Sequence, residues 1–267
     1  MENIKRIFKE HSLKEVSTCR FSQLSGRLIT CRAMGRIPQN AQTVLVCLFP
    51  YLLKEYGERN ISRYACVKDY HIIAEKTLGG ICRQLREEYP ENTFVPFADD
   101  SPIPEVYAAA LSGLGVIGDN GLLINETYGS WVFIGEIVTD LVIGIETHEI
   151  KSCLKCGRCR RFCTGQALED GFCRERCVSY ITQKKGELTQ EETRRLIEGG
   201  LVWGCDRCQE ICPMNKNALT EPFEGFLGQT DSLFEPDREI RERAYEWRGK
   251  SVIERNYGII NGGDERP

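Results

Sequence analysis

The chain has 267 residues, of which 41% are hydrophobic and 28% charged, with a formal net charge of −4. This is the composition of a folded globular protein long enough for two compact domains, and it excludes a disordered chain. The slight acidic balance gives no bulk electrostatic reason to bind nucleic acid, and the apolar runs are far too short to span a bilayer.

The first fifteen residues are charged throughout and lack the apolar centre of a signal peptide, so a cytoplasmic protein with no membrane partner is expected. A short amphipathic helix is expected around Ile4 and Phe8, then an irregular segment with Gly26, Gly35 and Pro38. The continuous apolar run at 44–49, closed by Pro50, reads as a buried strand. Helical spacing resumes at Ile72, Ile73, Leu78, Ile81, Cys82 and Leu85, with Gly79-Gly80 weakening the helix towards a split. Residues 94–97 read as a second strand. Asp99-Asp100-Ser101-Pro102 turns the chain, and Pro104 suits the first turn of an alanine-rich helix over 105–112.

Gly113-Leu114-Gly115-Val116-Ile117-Gly118 matches the dinucleotide fingerprint letter for letter, but that fingerprint must leave a strand and open a helix. Here it leaves a helix and leads to a strand at 122–124. Two readings stay open: a glycine loop whose backbone approaches a ligand, and a loop that only ends the helix. Residues 131–134 and 136–138 form a strand pair or one long strand. A helix is expected over 235–247, carrying Arg241 and Arg243, then a second over 251–257 and a mobile tail over 262–267.

Fourteen cysteines are present, nine of them from Cys153 to Cys212. Cys153-x-x-Cys156-x-x-Cys159-x-x-x-Cys163 has the ligand spacing of a bacterial ferredoxin run. Cys205-x-x-Cys208-x-x-x-Cys212-Pro213 repeats its last three ligands; a full second run would need a cysteine where Val202 stands. In two-cluster ferredoxins the fourth cysteine of a run serves the other cluster. One 4Fe-4S cluster then takes Cys153, Cys156, Cys159 and Cys212. The other takes Cys163, Cys205, Cys208 and either Cys173 or Cys177. Structural zinc sites do not usually show three short steps followed by a fourth, and disulfides are disfavoured in this compartment. The scattered Cys19, Cys31, Cys47, Cys66 and Cys82 read as reduced, partly buried thiols. Across 151–185 nine Lys/Arg face three Asp/Glu, which is either local charge balance or a phosphate-binding face.

Taken together, several ordered motifs over about residues 40–216 resemble the epoxyqueuosine reductase family. They are Ser62-Arg63-Tyr64-Ala65, Asp69-Tyr70-His71, the 113–118 glycine loop, Gly129-Ser130-Trp131, Gly135-Glu136-Ile137-Val138-Thr139-Asp140, Cys177-Val178-Ser179-Tyr180, Gly204-Cys205-Asp206-Arg207-Cys208-Gln209 and Cys212-Pro213-Met214-Asn215. The resemblance implies an α+β fold: a sheet flanked by helices, like the cobalamin domain of reductive dehalogenases, over 1–148. A ferredoxin-like double 4Fe-4S domain over 149–216 and a short helical extension over 217–267, without the usual C-terminal repeats, complete it. It selects Cys177 as the eighth ligand and leaves Cys173 spare. It implies base-off cobalamin with no histidine on cobalt, held by Arg63, Tyr64, Gly115, Gly118, Asn120, Leu123, Ser130 and Asp206. It makes Asp99 the catalytic acid, protonated through burial, with Asp100 the runner-up.

The implied activity is reduction of epoxyqueuosine in tRNA to queuosine, with electrons from an external donor such as a flavodoxin or ferredoxin. The chain departs from the family pattern at Val106, at Val116, at Thr164 and at Asp119, where a lysine near the corrinoid phosphate is usual. These departures motivate two alternatives: a corrinoid and iron–sulfur reductase of a non-tRNA substrate, and a ferredoxin-like electron carrier.

Overall fold

The apolar run at 44–49 lies within β2 (Thr43–Pro50), and all eight residues of that strand are buried. A strand buried on both faces has no reason to alternate polar and apolar side chains. The computed structural model, which describes residues 1–144, 148–228 and 230–262, places β2 inside a four-stranded antiparallel sheet. Its neighbours are β1 (Val16–Arg20) and β6 (Val132–Thr139), and β3 (Phe94–Phe97) pairs with the far side of β6.

Side chains alternate across the sheet. Leu45, Cys47 and Phe49 pack with α1 (Glu2–Glu10) and α2 (Tyr70–Glu88) on one face. Val44, Val46 and Leu48 pack with α3 (Glu105–Leu111) on the other. The α+β architecture expected from the sequence is what forms. Helix α2 runs unbroken through Gly79-Gly80, because Ile73, Leu78, Ile81, Cys82 and Leu85 form one buried stripe against the sheet. That packing outweighs a propensity cost of roughly 1 kcal/mol per glycine. Residues 132–139 make one long strand. Pro104 occupies the residue just before α3 rather than its first turn.

Two expectations need correction. Strand β1 falls inside the segment read as irregular; its sequence, Val-Ser-Thr-Cys-Arg, is short and half polar, as suits an edge strand. No α-helix forms over 235–247. Glu242 sits at φ 58°, outside helical space, and its carbonyl accepts the Asp69 N–H at 2.8 Å. Only a short turn, Glu246–Arg248, precedes α8 (Lys250–Asn261).

The cysteine-rich half is built from short helices: α4 (Arg158–Arg161), α5 (Val178–Gln183), α6 (Gln190–Gly199) and α7 (Arg207–Glu210). Residues after 216 pack back on the body. Phe223 and Phe226 join the core on the α2 face, while Phe234, Tyr245 and Ile253 share a third core with Ile61, Val202 and Trp203. Val202, which stands where a full second run would carry cysteine, is thus a fully buried core residue. Among the described residues no helix is long and apolar enough to cross a membrane. Of the tail read as mobile, residues 263–267 lie outside the described residues.

Candidate metal centre and adjoining cleft

Eight of the nine clustered cysteines separate into two sets of four. Cys153, Cys156, Cys159 and Cys212 line one small cavity. Cys163, Cys177, Cys205 and Cys208 line a second, larger one of about 420 Å³. Cys173 lines neither; its thiol reaches towards Glu175. Among the described residues, no three His, Cys, Asp or Glu side chains converge as they would on a single metal ion. Thiols spread around a cavity suit a polynuclear cluster, in which each iron takes its own thiolate. The sequence spacing alone could not bring Cys163 to Cys177. Gly165 does so, since a β-carbon there would collide with the carbonyl of Arg176. Backbone N–H groups already point at the sulfurs: Asp119 donates to Cys153 Sγ and Ala167 to Cys163 Sγ, both at 3.3 Å. Burial pushes the Cys205 and Cys208 thiols up to about 12, a cost that iron coordination reverses.

The glycine loop becomes a hairpin of β4 (Val116–Ile117) and β5 (Leu123–Ile124). A β-carbon on Gly115 would lie 2.5 Å from the Ile124 carbonyl, and one on Gly118 would meet the Asn120 side chain. Both glycines are therefore consumed by closing the hairpin. Leu123 is 3% exposed and packs in the core, so its neighbour Leu122 faces the larger cavity instead. The Ile117 carbonyl accepts the Cys153 N–H at 3.0 Å, which ties the hairpin to the first cysteine run. Asp119, where the resemblance expects a lysine, lines the first thiol cavity, with Arg160 Nε at 3.7 Å. Asn120 lines both cavities.

Arg63 and Asp206, expected to hold the cofactor, line neither of these cavities. Asp206 is buried, and its Oδ2 accepts from Arg59 Nη1 at 2.6 Å and the Arg63 N–H at 2.9 Å. Glu210 completes the network with both arginines, and the Arg63 guanidinium lies 5.1 Å over Trp131. This network fixes the Cys205–Cys208 loop to the body. Ser130 does line the larger cavity. Its hydroxyl donates to Gln209 Oε1 at 3.0 Å and accepts from Asn215 Nδ2 at 2.8 Å, clamping the exit of the second run to the start of β6.

Tyr51, Tyr64, Tyr70 and Phe133 form one wall of the larger cavity, with Tyr70 and Phe133 stacked at 4.1 Å and 6°. A flat aromatic wall beside four thiols suits a planar macrocycle better than a small polar ligand. None of the three histidines lines this cavity. Tyr64, Tyr70 and Gln183 pass from it into a second cleft of about 570 Å³, which also holds Asp69, His71 and Asp99.

In that cleft Asp69 caps α2 and accepts from both the His71 backbone N–H, at 3.0 Å, and Nδ1, at 2.7 Å. Asp99 Oδ2 lies 2.9 Å from His71 Nε2. Burial opposes charge on the imidazole, but the two carboxylates prevail and hold it up at about 9. The hydrogen bond from His71 in turn holds Asp99 below the usual carboxylate range. Asp99, at φ 53°, is exposed, so burial does not keep it protonated as expected from sequence. The proton sits on His71. Behind the loop, burial lifts Glu105 to about 8, and Glu136 is pushed well above the usual range by complete burial. Ser101 bridges Glu136 to the loop, donating to Oε2 at 3.2 Å and accepting the Ile103 N–H. From sequence Glu136 stands out only as part of the 135–140 motif, and Gln183, Ala244 and Trp247 carry no local mark as cleft residues. Glutamate within an apolar strand was the available signal for the first.

The two four-thiol cavities beside a helix-flanked sheet define a protein built to hold two iron–sulfur clusters. Residues 152–215 match the family profile described as a 4Fe-4S double cluster binding domain, and residues 33–100 that of epoxyqueuosine reductase QueG, DUF1730. The epoxyqueuosine reductase of Aliivibrio fischeri is 37% identical over 194 residues, 69% of this chain and 52% of that protein. That of Lactococcus garvieae is 32% identical over 227 residues, 79% of this chain and 64% of that protein. The chain thus spans about half to two thirds of the length of these relatives. Epoxyqueuosine reductase structures, one from Streptococcus thermophilus and one with an epoxyqueuosine-modified tRNA-Tyr stem loop, superpose with a TM-score of 0.81. Each match covers 97% of this chain and 80% of theirs at 22% identity. A reductive dehalogenase described with a B12-dependent mechanism matches with a TM-score of 0.51 and 17% identity, over 98% of this chain and 36% of its own. The chain belongs with the epoxyqueuosine reductase family over the regions these matches cover.

Proposed function

We propose that this protein reduces epoxyqueuosine in tRNA to queuosine, using two 4Fe-4S clusters and base-off cobalamin. The observation that carries the reading is the continuity of one four-thiol cavity with an aromatic-walled cleft that ends at His71 and Asp99. In this reading Cys153, Cys156, Cys159 and Cys212 hold one cluster, and Cys163, Cys177, Cys205 and Cys208 the other. Tyr64, Asn120 and Ser130 would hold the corrinoid, with the Tyr70–Phe133 wall beside them. When bound, cobalamin supplies the low-potential reductant for the carbon–oxygen bond. The reaction takes two electrons and two protons and releases the epoxide oxygen as water. The electrons come from an external carrier such as a flavodoxin or ferredoxin, and the setting is cytoplasmic.

The residues of the cleft handle the proton. His71, charged at neutral pH and fixed by Asp69, donates through Nε2 to Asp99, and Asp99 passes the proton to the epoxide oxygen. Asp99 is thus an ionised relay between the charged histidine and the epoxide oxygen, rather than an acid kept neutral by burial. The tRNA assignment follows the reductase that holds an epoxyqueuosine-modified stem loop and the relatives of the same name.

The test is anaerobic. The protein is reconstituted with iron, sulfide and cobalamin, and iron and cobalt per chain are measured after desalting. Epoxyqueuosine-containing tRNA and a chemical reductant are then added, and nucleosides are read by mass spectrometry. About eight irons, one cobalt and conversion to queuosine are expected. Eight irons without cobalt would favour an electron carrier, and full loading with unchanged epoxyqueuosine would favour a different substrate.

A further inference from the structure

The segment before α8 forms the outer wall of the cleft. Asp69, which orients His71, donates its backbone N–H to the Glu242 carbonyl, and Lys68 pairs with the Glu242 carboxylate at 2.7 Å. Lys68 and Arg243 form an antiparallel bridge, and Ala244 and Tyr245 are buried in the third core. This anchoring sets Trp247 along the same cleft as Tyr70, His71 and Asp99.

Trp247 is 55% exposed, whereas Trp131 and Trp203 are 4% and 0% exposed. A tryptophan needed only for packing would be buried, since leaving an indole in water forgoes most of its hydrophobic gain. Its ring is also held from one side: the Arg248 guanidinium lies 3.8 Å from the ring centre, and Arg248 Nε is buried without a hydrogen-bond partner. An exposed indole, backed by a cation and open at the mouth of a reaction cleft, is a surface for a planar ring. Proteins hold unpaired bases this way, by stacking on aromatic and guanidinium planes while cations meet the phosphates.

We propose that Trp247 is a stacking platform for an unpaired nucleobase of the RNA substrate, with Arg248 supporting the ring and meeting the backbone. This rests on the tRNA reading given above. It places one substrate contact on the segment after the cluster region, close to the proton-donating pair.

The test compares cluster-loaded wild type, W247F and W247A in anaerobic binding titrations. The probes are an anticodon stem-loop RNA and the same RNA with abasic residues flanking the modified position. Wild type binds the intact loop roughly tenfold more tightly than the abasic one, the worth of about one base–aromatic stack. W247A loses that preference, W247F keeps most of it, and turnover of epoxyqueuosine-containing tRNA shows a raised KM with little change in kcat. Unchanged iron content and melting temperature identify variants that fold normally. If wild type and a normally folded W247A both bind the intact loop with the same preference, Trp247 is not the platform while the tRNA reading stands. If wild type binds neither RNA, both readings fall.

Discussion

Replacing Asp69 with Asn should move the alkaline limit of turnover towards neutral pH. The amide oxygen can still cap α2 and accept from His71 Nδ1, so the substitution removes a charge while keeping the geometry. His71 is held at about 9, against an ordinary value near 6.5. Taken whole, that difference is worth ~3 kcal/mol. The imidazole side chain is 44% exposed, so solvent screening reduces the figure, and Asp99 carries a share of what remains. Losing Asp69 should therefore shift the limit by about one pH unit. The sign follows from the raised value: the protonated imidazole is present below about 9 and disappears above it, so the rate falls as pH rises through that point. The same group contributes stability that is complete below pH 6.5 and lost on the same rise. Single-turnover rates from pH 6 to 10 with a chemical reductant, beside NMR titration of the His71 ring, provide the measurement. An NMR midpoint that moves while the rate profile stays fixed would refute His71 as the proton reservoir. A midpoint that does not move would refute the charge argument itself.

Other substitutions probe the remaining parts. C177A should lose about half of the bound iron, as expected if it removes one ligand of one of two four-iron clusters, whereas C173A should keep a full load; equal iron in both would overturn the ligand assignment. D119K should raise the reduction potential of the cluster at Cys153, because a negative charge beside that cavity becomes positive; spectroelectrochemical titration reads the direction. Glu136 is held neutral by burial, so wild-type stability should fall as pH rises above the ordinary glutamate range. E136Q, which cannot ionise, should gain in melting temperature relative to wild type at pH 8 more than at pH 5, and an equal difference at both would show that Glu136 is ionised in the fold.

Much of this protein is written in local pattern. Ferredoxin spacing marks the candidate ligands of each run, because a short chain wrapped around a cluster can present sulfurs only at a few separations. The apolar run at 44–49 declares a strand covered on both faces, and helix α2 announces itself through a buried stripe that even Gly79-Gly80 does not interrupt. Short edge strand β1 had no such signal, and the 235–247 segment misled because its backbone makes only isolated turns and is otherwise tied to Lys68 and Asp69.

What only the tertiary structure decided is which distant groups meet. Gly115 and Gly118 look like a ligand loop, yet their absent β-carbons are used to close a hairpin. Arg63 and Asp206 look like cofactor contacts, yet Asp206 is held by Arg59 at 2.6 Å and by Arg63 at 3.5 Å, because a buried carboxylate needs a partner. Asp99, the acid proposed from sequence, does line the cleft, but its protonation was not legible. Whether a carboxyl holds a proton depends on the charge beside it, and His71 is brought there by a helix start 28 positions away in sequence. Sequence determines residue types and local spacing; protonation, pairing and the wall supplied by Trp247 follow from distances that only folding sets.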